Sequence, residues 1–149
     1  MRKLLYANIF FMFMLPALLP AQTAAELETV LETPVISCEQ AAWFTLAAAL
    51  DEPPVSSQTA FAQAVSRGWL KKAAPDDPIT LGKLSFLIMR AFEIKGGVMF
   101  SIFPGPRYAY RSMLSRSFIQ GAADPAMTVS GERFLVILGK VLSAEGGES

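Results

Sequence analysis

The sequence contains no histidine and a single cysteine. Without histidine, the Ser-His and Cys-His nucleophile pairs of hydrolases are absent, and so is the imidazole ligand of most zinc sites. One cysteine excludes an internal disulfide framework. The acidic doublet Asp76-Asp77 precedes Pro78, which is typical of a turn before a helix rather than of a catalytic carboxyl pair. We therefore expect no enzyme, no cofactor and no metal site.

The first 23 residues have the order of a secretory signal peptide. Arg2 and Lys3 are followed by an almost wholly apolar run over residues 4–20, and then by the small residues Ala21 and Thr23. The run lies at the short limit for spanning a bilayer and contains two prolines, so a cleaved signal is favoured over an uncleaved anchor. We expect export across a bacterial-type inner membrane to the periplasm or cell envelope, with residues 24–36 as the N-terminal segment of the mature chain.

Cys38 raises the alternative of a lipoprotein, but no apolar run lies directly before it. We expect instead a small packed residue. No second apolar run reaches spanning length, so the mature chain is expected to be soluble or in peripheral contact with a membrane.

Basic residues are concentrated in the middle of the chain. Residues 24–63 contain six acidic and no basic residues, whereas residues 64–116 contain nine Lys and Arg against three acidic residues. The basic centre either presents solvated helix faces or holds an anionic partner such as a wall polymer or a lipid headgroup. Export and the acidic flanks argue against nucleic acid.

Repeats organise the mature chain. Residues 65–71 recur as residues 114–120, at an offset of 49. Ser37, Thr80 and Ser130 each precede an apolar run with the period of a helix, and Gln40 can complete a capping box at Ser37. The pattern predicts an all-α fold with helices over 38–50, 58–67, 81–93, 107–117 and 131–143, a short helix near 26–31, and chain reversals at Gly68, Gly96 and Gly121.

Three of these helices, 38–50, 81–93 and 131–143, are apolar nearly all round, which predicts a central three-helix bundle with the other two helices outside. Residues 37–143 form the repeat domain, and residues 144–149 are expected to be a flexible tail. Four large residues are expected to be almost fully buried and in mutual reach: Leu87, Ile88, Leu138 and Leu142.

This pattern resembles the S-layer homology (SLH) domain family over residues 34–143. The family's second helix opens with Ile-Thr-Arg-Ala-Glu. Residues 79–83 read Ile-Thr-Leu-Gly-Lys, so that Leu81 and Lys83 stand at the Arg and Glu positions. Residues 129–132 read Val-Ser-Gly-Glu, and residues 36–39 read Ile-Ser-Cys-Glu. The resemblance implies three helical repeats and attachment to the cell envelope through grooves that hold peptidoglycan or another cell-wall polysaccharide.

Cations and tyrosines of the basic centre are the candidate ligand contacts, since Arg binds anionic groups and Tyr rings stack on sugars. Arg67 and Arg116 are related by the 49-residue offset, and each either stabilises its helix C-terminus or contacts the ligand. The full candidate set is Arg67, Lys83, Arg107, Tyr108, Tyr110, Arg111 and Arg116.

The segment 96–110 is unusually apolar for a connection, and two prolines stiffen its exit. It either completes the core or presents an exposed patch to a partner. The leading functional hypothesis is a non-catalytic envelope protein that binds a wall polymer. The alternative is a subunit that docks on another exported or outer-membrane protein. Basic grooves between repeats would favour the first hypothesis, and a contiguous apolar surface would favour the second.

N-terminal sequencing of the exported protein tests the signal peptide. We expect the mature chain to begin close to Ala24, because the small-residue site ends at Thr23. A product that still begins at Met1 and fractionates with membranes would contradict this prediction.

Overall fold

The computed structural model describes residues 18–121 and 123–147, and over these residues the fold is all-α, with seven helices and no strand. The predicted signal peptide lies mainly outside the described residues, and its cleavage site falls within the first helix. The helices are α1 (Leu18–Glu32), α2 (Cys38–Ala49), α3 (Ser57–Ser66), α4 (Leu81–Ala91), α5 (Val98–Ile102), α6 (Pro106–Ser115) and α7 (Gly131–Gly146). None of the helices in this part of the chain has the length and apolar character that a bilayer crossing requires.

The predicted N-caps are confirmed. The hydroxyl groups of Ser37, Thr80 and Ser130 each accept the backbone N–H three residues further along, at 3.2–3.3 Å. Gln40 completes the capping box, because its side-chain oxygen accepts the Ser37 N–H at 3.0 Å. The five main predicted helices begin within one residue and end within three residues of the observed bounds. The largest difference is in α7, which continues to Gly146 and so enters the predicted tail.

The chain reversals repeat with the sequence. Gly68 and Ser117, which are 49 residues apart, both have left-handed backbone conformations with φ of +74° and +61°. Lys72 and Gly121, at the same offset, have φ of +53° and +80°. The predicted reversals at Gly68 and Gly121 are therefore confirmed. After α4 the left-handed residue is Glu93, with φ +55°, rather than Gly96.

Some helices pack on the helix before them in the chain, and others pack on helices that are further away in the sequence. Helix α3 packs on α2, α6 packs on α4, and α1 packs on α7. Helix α2 also packs on α4, and an edge-to-face contact between Phe44 and Phe134, with ring centroids 6.4 Å apart, joins α2 to α7. Helix α4 is buried along most of its length.

Backbone hydrogen bonds tie the starts of α2, α4 and α7 to one another. The first N–H groups of a helix have no partner within it, so they need acceptors from elsewhere. The acceptors are carbonyl groups of distant segments: Cys38 donates to Asp77 at 2.8 Å, Leu81 to Met127 at 2.9 Å, and Gly131 to Thr33 at 2.9 Å. Helix α2 is thus bonded to the turn before α4, α4 to the turn before α7, and α7 to the chain before α2. The three connections form a closed ring.

Buried residues fill the centre of this ring. Ile36, Ile79 and Val129, each directly before a capping residue, have no solvent exposure. The Ile36 N–H donates to Val129 at 2.9 Å, and the Ile79 N–H donates to Ile36 at 3.0 Å. These bonds satisfy backbone groups that would be costly to bury without partners.

Helix α1 makes a closer contact than the sequence indicated. Val30 is buried, and a Cβ atom added at Gly131 would collide with the Val30 carbonyl oxygen. The glycine at the start of α7 therefore allows the end of α1 to reach that helix. The short helix predicted near residues 26–31 is part of α1.

The predicted burial is right for Leu87, Ile88 and Leu138 but wrong for Leu142. Leu87 and Ile88 have no solvent exposure and Leu138 is 6% exposed, whereas Leu142 is 41% exposed. The buried stripe of α7 ends at Val141, and residues 142–147 are all exposed. The last turn of α7 extends past the elements that could cover it.

Leu138 and Leu142 form a matched pair on one helix. We expect Leu138→Ala to lower the free energy of unfolding by about 2–5 kcal/mol, because it removes buried contacts and leaves a cavity. Leu142→Ala should cost less than about 1 kcal/mol, because that side chain is largely in water. Denaturant unfolding of both variants measures the difference, and equal losses would contradict the placement of α7.

Candidate functional site

A groove of about 680 Å³ opens between the first turn of α4, the first half of α6 and the turn before α7. It is lined by Thr80, Gly82, Lys83, Pro106, Arg107, Tyr110, Arg111, Pro125 and Ala126. We call it the basic groove.

Gly82 sets the shape of the basic groove. Its N–H donates to the Pro125 carbonyl oxygen at 2.9 Å. A Cβ atom at this position would lie 3.1 Å from that oxygen and 3.5 Å from the Pro106 Cβ atom. A larger side chain would therefore project between Pro125 in the turn before α7 and Pro106 at the start of α6. Glycine leaves the space between these two residues open.

Three cations and no carboxylate line the basic groove: Lys83, Arg107 and Arg111. Arg107 and Arg111 are four residues apart on α6, so their like charges lie on the same face and repel each other. In the part of the chain that the structure describes, none of the three forms a salt bridge. A bound anion would relieve this repulsion and supply the missing counter-charge.

The two tyrosines occupy different surroundings. Tyr110 lines the basic groove but is only 7% exposed, so its ring packs in the core and offers little surface to a sugar. Tyr108 is half-buried and lies in a neighbouring hollow with Val98, Met99 and Arg111. Arg111 lines both spaces.

Arg67 and Arg116 lie outside the basic groove. Both are C-cap residues, of α3 and α6, as their sequence equivalence indicates. The Arg67 guanidinium lies 4.9 Å from the centre of the Trp69 ring, and the Arg116 Nη2 donates to the Lys95 carbonyl oxygen at 2.7 Å. They are separated from the groove because it forms at the N-terminal ends of α4 and α6, whereas these arginines stand at C-terminal ends.

Arg90 is an exposed cation that the sequence did not single out. Its guanidinium lies 5.5 Å from the Phe86 ring centre and 6.0 Å from that of Phe100. It lines a hollow of about 720 Å³ that also contains Glu93 and Lys95. The carboxylate makes this hollow mixed in charge, so it is less suited to an anion than the basic groove. Phe86 stands four residues before Arg90 on α4, so that contact could be read from the sequence, whereas Phe100 is brought beside Arg90 only by the fold.

Acidic residues in the turns before α4 and α7 have structural roles. The Asp77 carboxylate accepts the Ala74 N–H at 2.8 Å, and the Asp124 carboxylate accepts the Ala126 N–H at 2.7 Å, so each stabilises its turn. Among the described residues, no group of three or more His, Cys, Asp and Glu side chains could hold a metal ion.

Cys38 is fully buried at the start of α2, which does not fit a lipid attachment site. Burial raises the pKa of its thiol, nearby Lys83 lowers it, and Asp77 raises it. Burial has the largest effect, so the thiol is kept in its neutral and unreactive form.

Thiol labelling checks this environment. At about pH 8 we expect a disulfide reagent to react with Cys38 at least tenfold more slowly in the native protein than in denaturant. Because the pKa of the Cys38 thiol is raised in the folded protein, the thiol does not change the free energy of unfolding well below its ordinary pKa. As the pH rises above that ordinary pKa, the thiol lowers the free energy of unfolding. Rapid labelling of the native protein would show that α2 begins elsewhere.

No protein-family model, curated protein or solved structure matches this chain.

Proposed function

We propose that this protein is a non-catalytic component of the cell envelope that binds an anionic cell-wall polymer in the basic groove. In this proposal three helical units form an SLH-like domain around α2, α4 and α7. The single observation that carries the proposal is the meeting of Lys83, Arg107 and Arg111 in one open groove without a carboxylate.

The packing of the helices supports the repeat arrangement. If the units are α1–α2, α3–α4 and α6–α7, the first helix of each unit packs on the second helix of the unit before it, and α1 closes the circle on α7. The hydrogen bonds at the helix starts follow the same cyclic order. One unit alone could not cover its apolar second helix, which explains why the units interlock.

The equivalent junction between α2 and α3 provides an internal comparison. At the 49-residue offset, Arg107 and Arg111 correspond to Gln58 and Ala62, and the cap-relative equivalent of Lys83 is Gln40. None of these is a cation. The fold therefore does not require positive charge at such a junction, which supports a ligand-binding role for the cations at the α4–α6 junction.

The same comparison explains why one junction is open. Glu39 occupies the position of Gly82 in the first unit, and its carboxylate accepts a hydrogen bond from the Ser57 hydroxyl at the start of α3. This contact bridges the α2–α3 junction. At the α4–α6 junction, Gly82 has no side chain, and Pro106 replaces Ser57.

The charges indicate the class of ligand. Arginine pairs bidentately with carboxylate and phosphate groups, and lysine adds a point charge. Lys83 also stands where the family's motif has Glu, which makes this groove more positive than the resemblance implies. A wall polymer with repeated carboxylate or phosphate groups fits three cations along an open groove, and its binding should weaken with salt because both arginines are exposed.

Sedimentation with purified cell wall tests the proposal. We expect Arg107→Gln with Arg111→Gln to reduce the bound fraction at least about tenfold, because two charge-assisted contacts are lost. The matched control is Arg67→Gln with Arg116→Gln, which removes the same charge outside the groove and should leave binding close to that of the parent. Circular dichroism checks that both variants remain folded.

Two results would overturn binding of the polymer in the basic groove. One is a folded groove variant that sediments as well as the parent, and the other is an equal loss in the control, which would indicate nonspecific charge attraction. Mass spectrometry of proteins that co-purify with the parent tests the alternative of docking on an envelope protein. A partner retained by parent and groove variant alike, without wall binding, would favour that alternative.

A further inference from the structure

Helix α5 presents a cluster of apolar side chains to solvent. Val98, Met99, Ile102 and Phe103 are 75%, 45%, 59% and 61% exposed, whereas Phe100 between them is buried. The apolar segment 96–110 therefore does not simply complete the core. We call these four exposed residues the α5 tip.

The α5 tip is not needed to connect the helices on either side of it. The equivalent connection, from α2 to α3, takes seven residues (50–56), whereas the connection from α4 to α6 takes fourteen (92–105). Each connection joins a helix to the outer helix that packs on it, α2 to α3 in one case and α4 to α6 in the other. The additional residues form α5, so the fold explains neither its presence nor its apolar surface.

The segment is nevertheless held firmly. The Phe100 ring packs edge-to-face on Phe86, with centroids 6.1 Å apart. A Cβ atom at Gly96 would lie 2.5 Å from the Phe100 ring, so glycine is needed for this close approach. The Gly97 N–H donates to the Ser112 hydroxyl at 3.3 Å. These contacts fix one side of α5 on the protein and direct the α5 tip outward.

Cations lie near the α5 tip in two hollows. Arg111 and Tyr108 line the hollow beside Val98 and Met99. Arg90 and Lys95 line a second hollow, which includes Phe100 and Ser101 of α5 and in which Glu93 is the one carboxylate among the lining residues. From residue 94 to residue 123 the sequence has four cations and no acidic residue.

We propose that the α5 tip inserts into the surface of a bilayer containing anionic phospholipids. Apolar side chains that enter the boundary between headgroups and acyl chains, together with cations at the level of the phosphates, form the usual interfacial anchor. Tyr108, with an apolar ring and a polar hydroxyl, is suited to the headgroup region. Lys95 and Arg111, which line the two hollows near the tip, would contact the phosphates.

The size of the α5 tip favours a membrane over a protein partner. A stable protein interface buries roughly 800 Å² on each partner. Four partly exposed side chains present well below that area, whereas shallow insertion needs only a small apolar surface when cations assist it. Positive charge around the tip also opposes pairing with the same surface of a second copy.

Vesicle co-sedimentation tests the proposal with the protein in its naturally processed form. The parent should bind vesicles of equal parts phosphatidylglycerol and phosphatidylcholine, and bind phosphatidylcholine vesicles much less, because the cations need anionic headgroups. Ile102→Ser with Phe103→Ser should lower the partition coefficient at least about tenfold, since it removes the most apolar part of the tip. The matched control is Val136→Ser on α7, whose side chain is 52% exposed, and it should bind like the parent.

The outcomes are decisive because the tip variant leaves the basic groove intact. Lost vesicle binding with unchanged circular dichroism and retained wall sedimentation supports the α5 tip as a separate lipid site. Failure of the parent to bind anionic vesicles, or equal binding by the tip variant, overturns it whether or not wall binding holds. The proposal would also be overturned, in favour of a second copy, if the parent does not bind vesicles and self-associates through the α5 tip in analytical ultracentrifugation.

Discussion

The structure depends on satisfying the first backbone N–H groups of α2, α4 and α7. These groups have no acceptors in their own helices, and in this fold they are buried near the centre. The chain supplies the acceptors from three other segments, so that each helix start is bonded to a turn elsewhere in the chain. Because the bonds run in a cycle, removing any one of these segments would leave buried donors unpaired. The fully buried residues before the caps, Ile36, Ile79 and Val129, fill the space that the cycle encloses.

Side chains make the α2–α3 and α4–α6 junctions different. At the α2–α3 junction Glu39 is held by Ser57, and the neighbouring positions carry no cation. At the α4–α6 junction glycine leaves a space and three cations line it. The connection between α4 and α6 is also the longer one and carries α5. Both features that the scaffold does not require, the basic groove and the α5 tip, are therefore found at the same junction, and Arg111 lies beside both.

The limits of the sequence are clearest at Leu142 and among the arginines. Leu142 continues the apolar period of α7, but periodicity does not show where the covering elements end, and this residue is exposed. Arg67 and Arg116 are related by the 49-residue offset and are both C-caps, yet one stacks on Trp69 and the other bonds to Lys95. The sequence grouped them with Lys83, Arg107 and Arg111 by their positive charge and by that offset. Only the fold shows that the basic groove forms at the N-terminal ends of α4 and α6, whereas Arg67 and Arg116 stand at C-terminal helix ends.

The sequence by itself determined the features that depend on neighbouring residues. Caps at Ser37, Thr80 and Ser130 use a side chain and an N–H three residues apart, and the helix bounds follow the 3.6-residue period, so both can be read along the chain. Tertiary structure decided which helices pack together, that α1 reaches Gly131, and that α5 turns its apolar residues outward. These features depend on contacts between segments tens of residues apart. The free energy of such contacts comes from apolar burial and complementary packing, which neighbouring residues in the sequence do not show. Periodicity shows only that a helix has an apolar face. The hydrogen bonds that join the starts of α2, α4 and α7 determine which elements each face packs against.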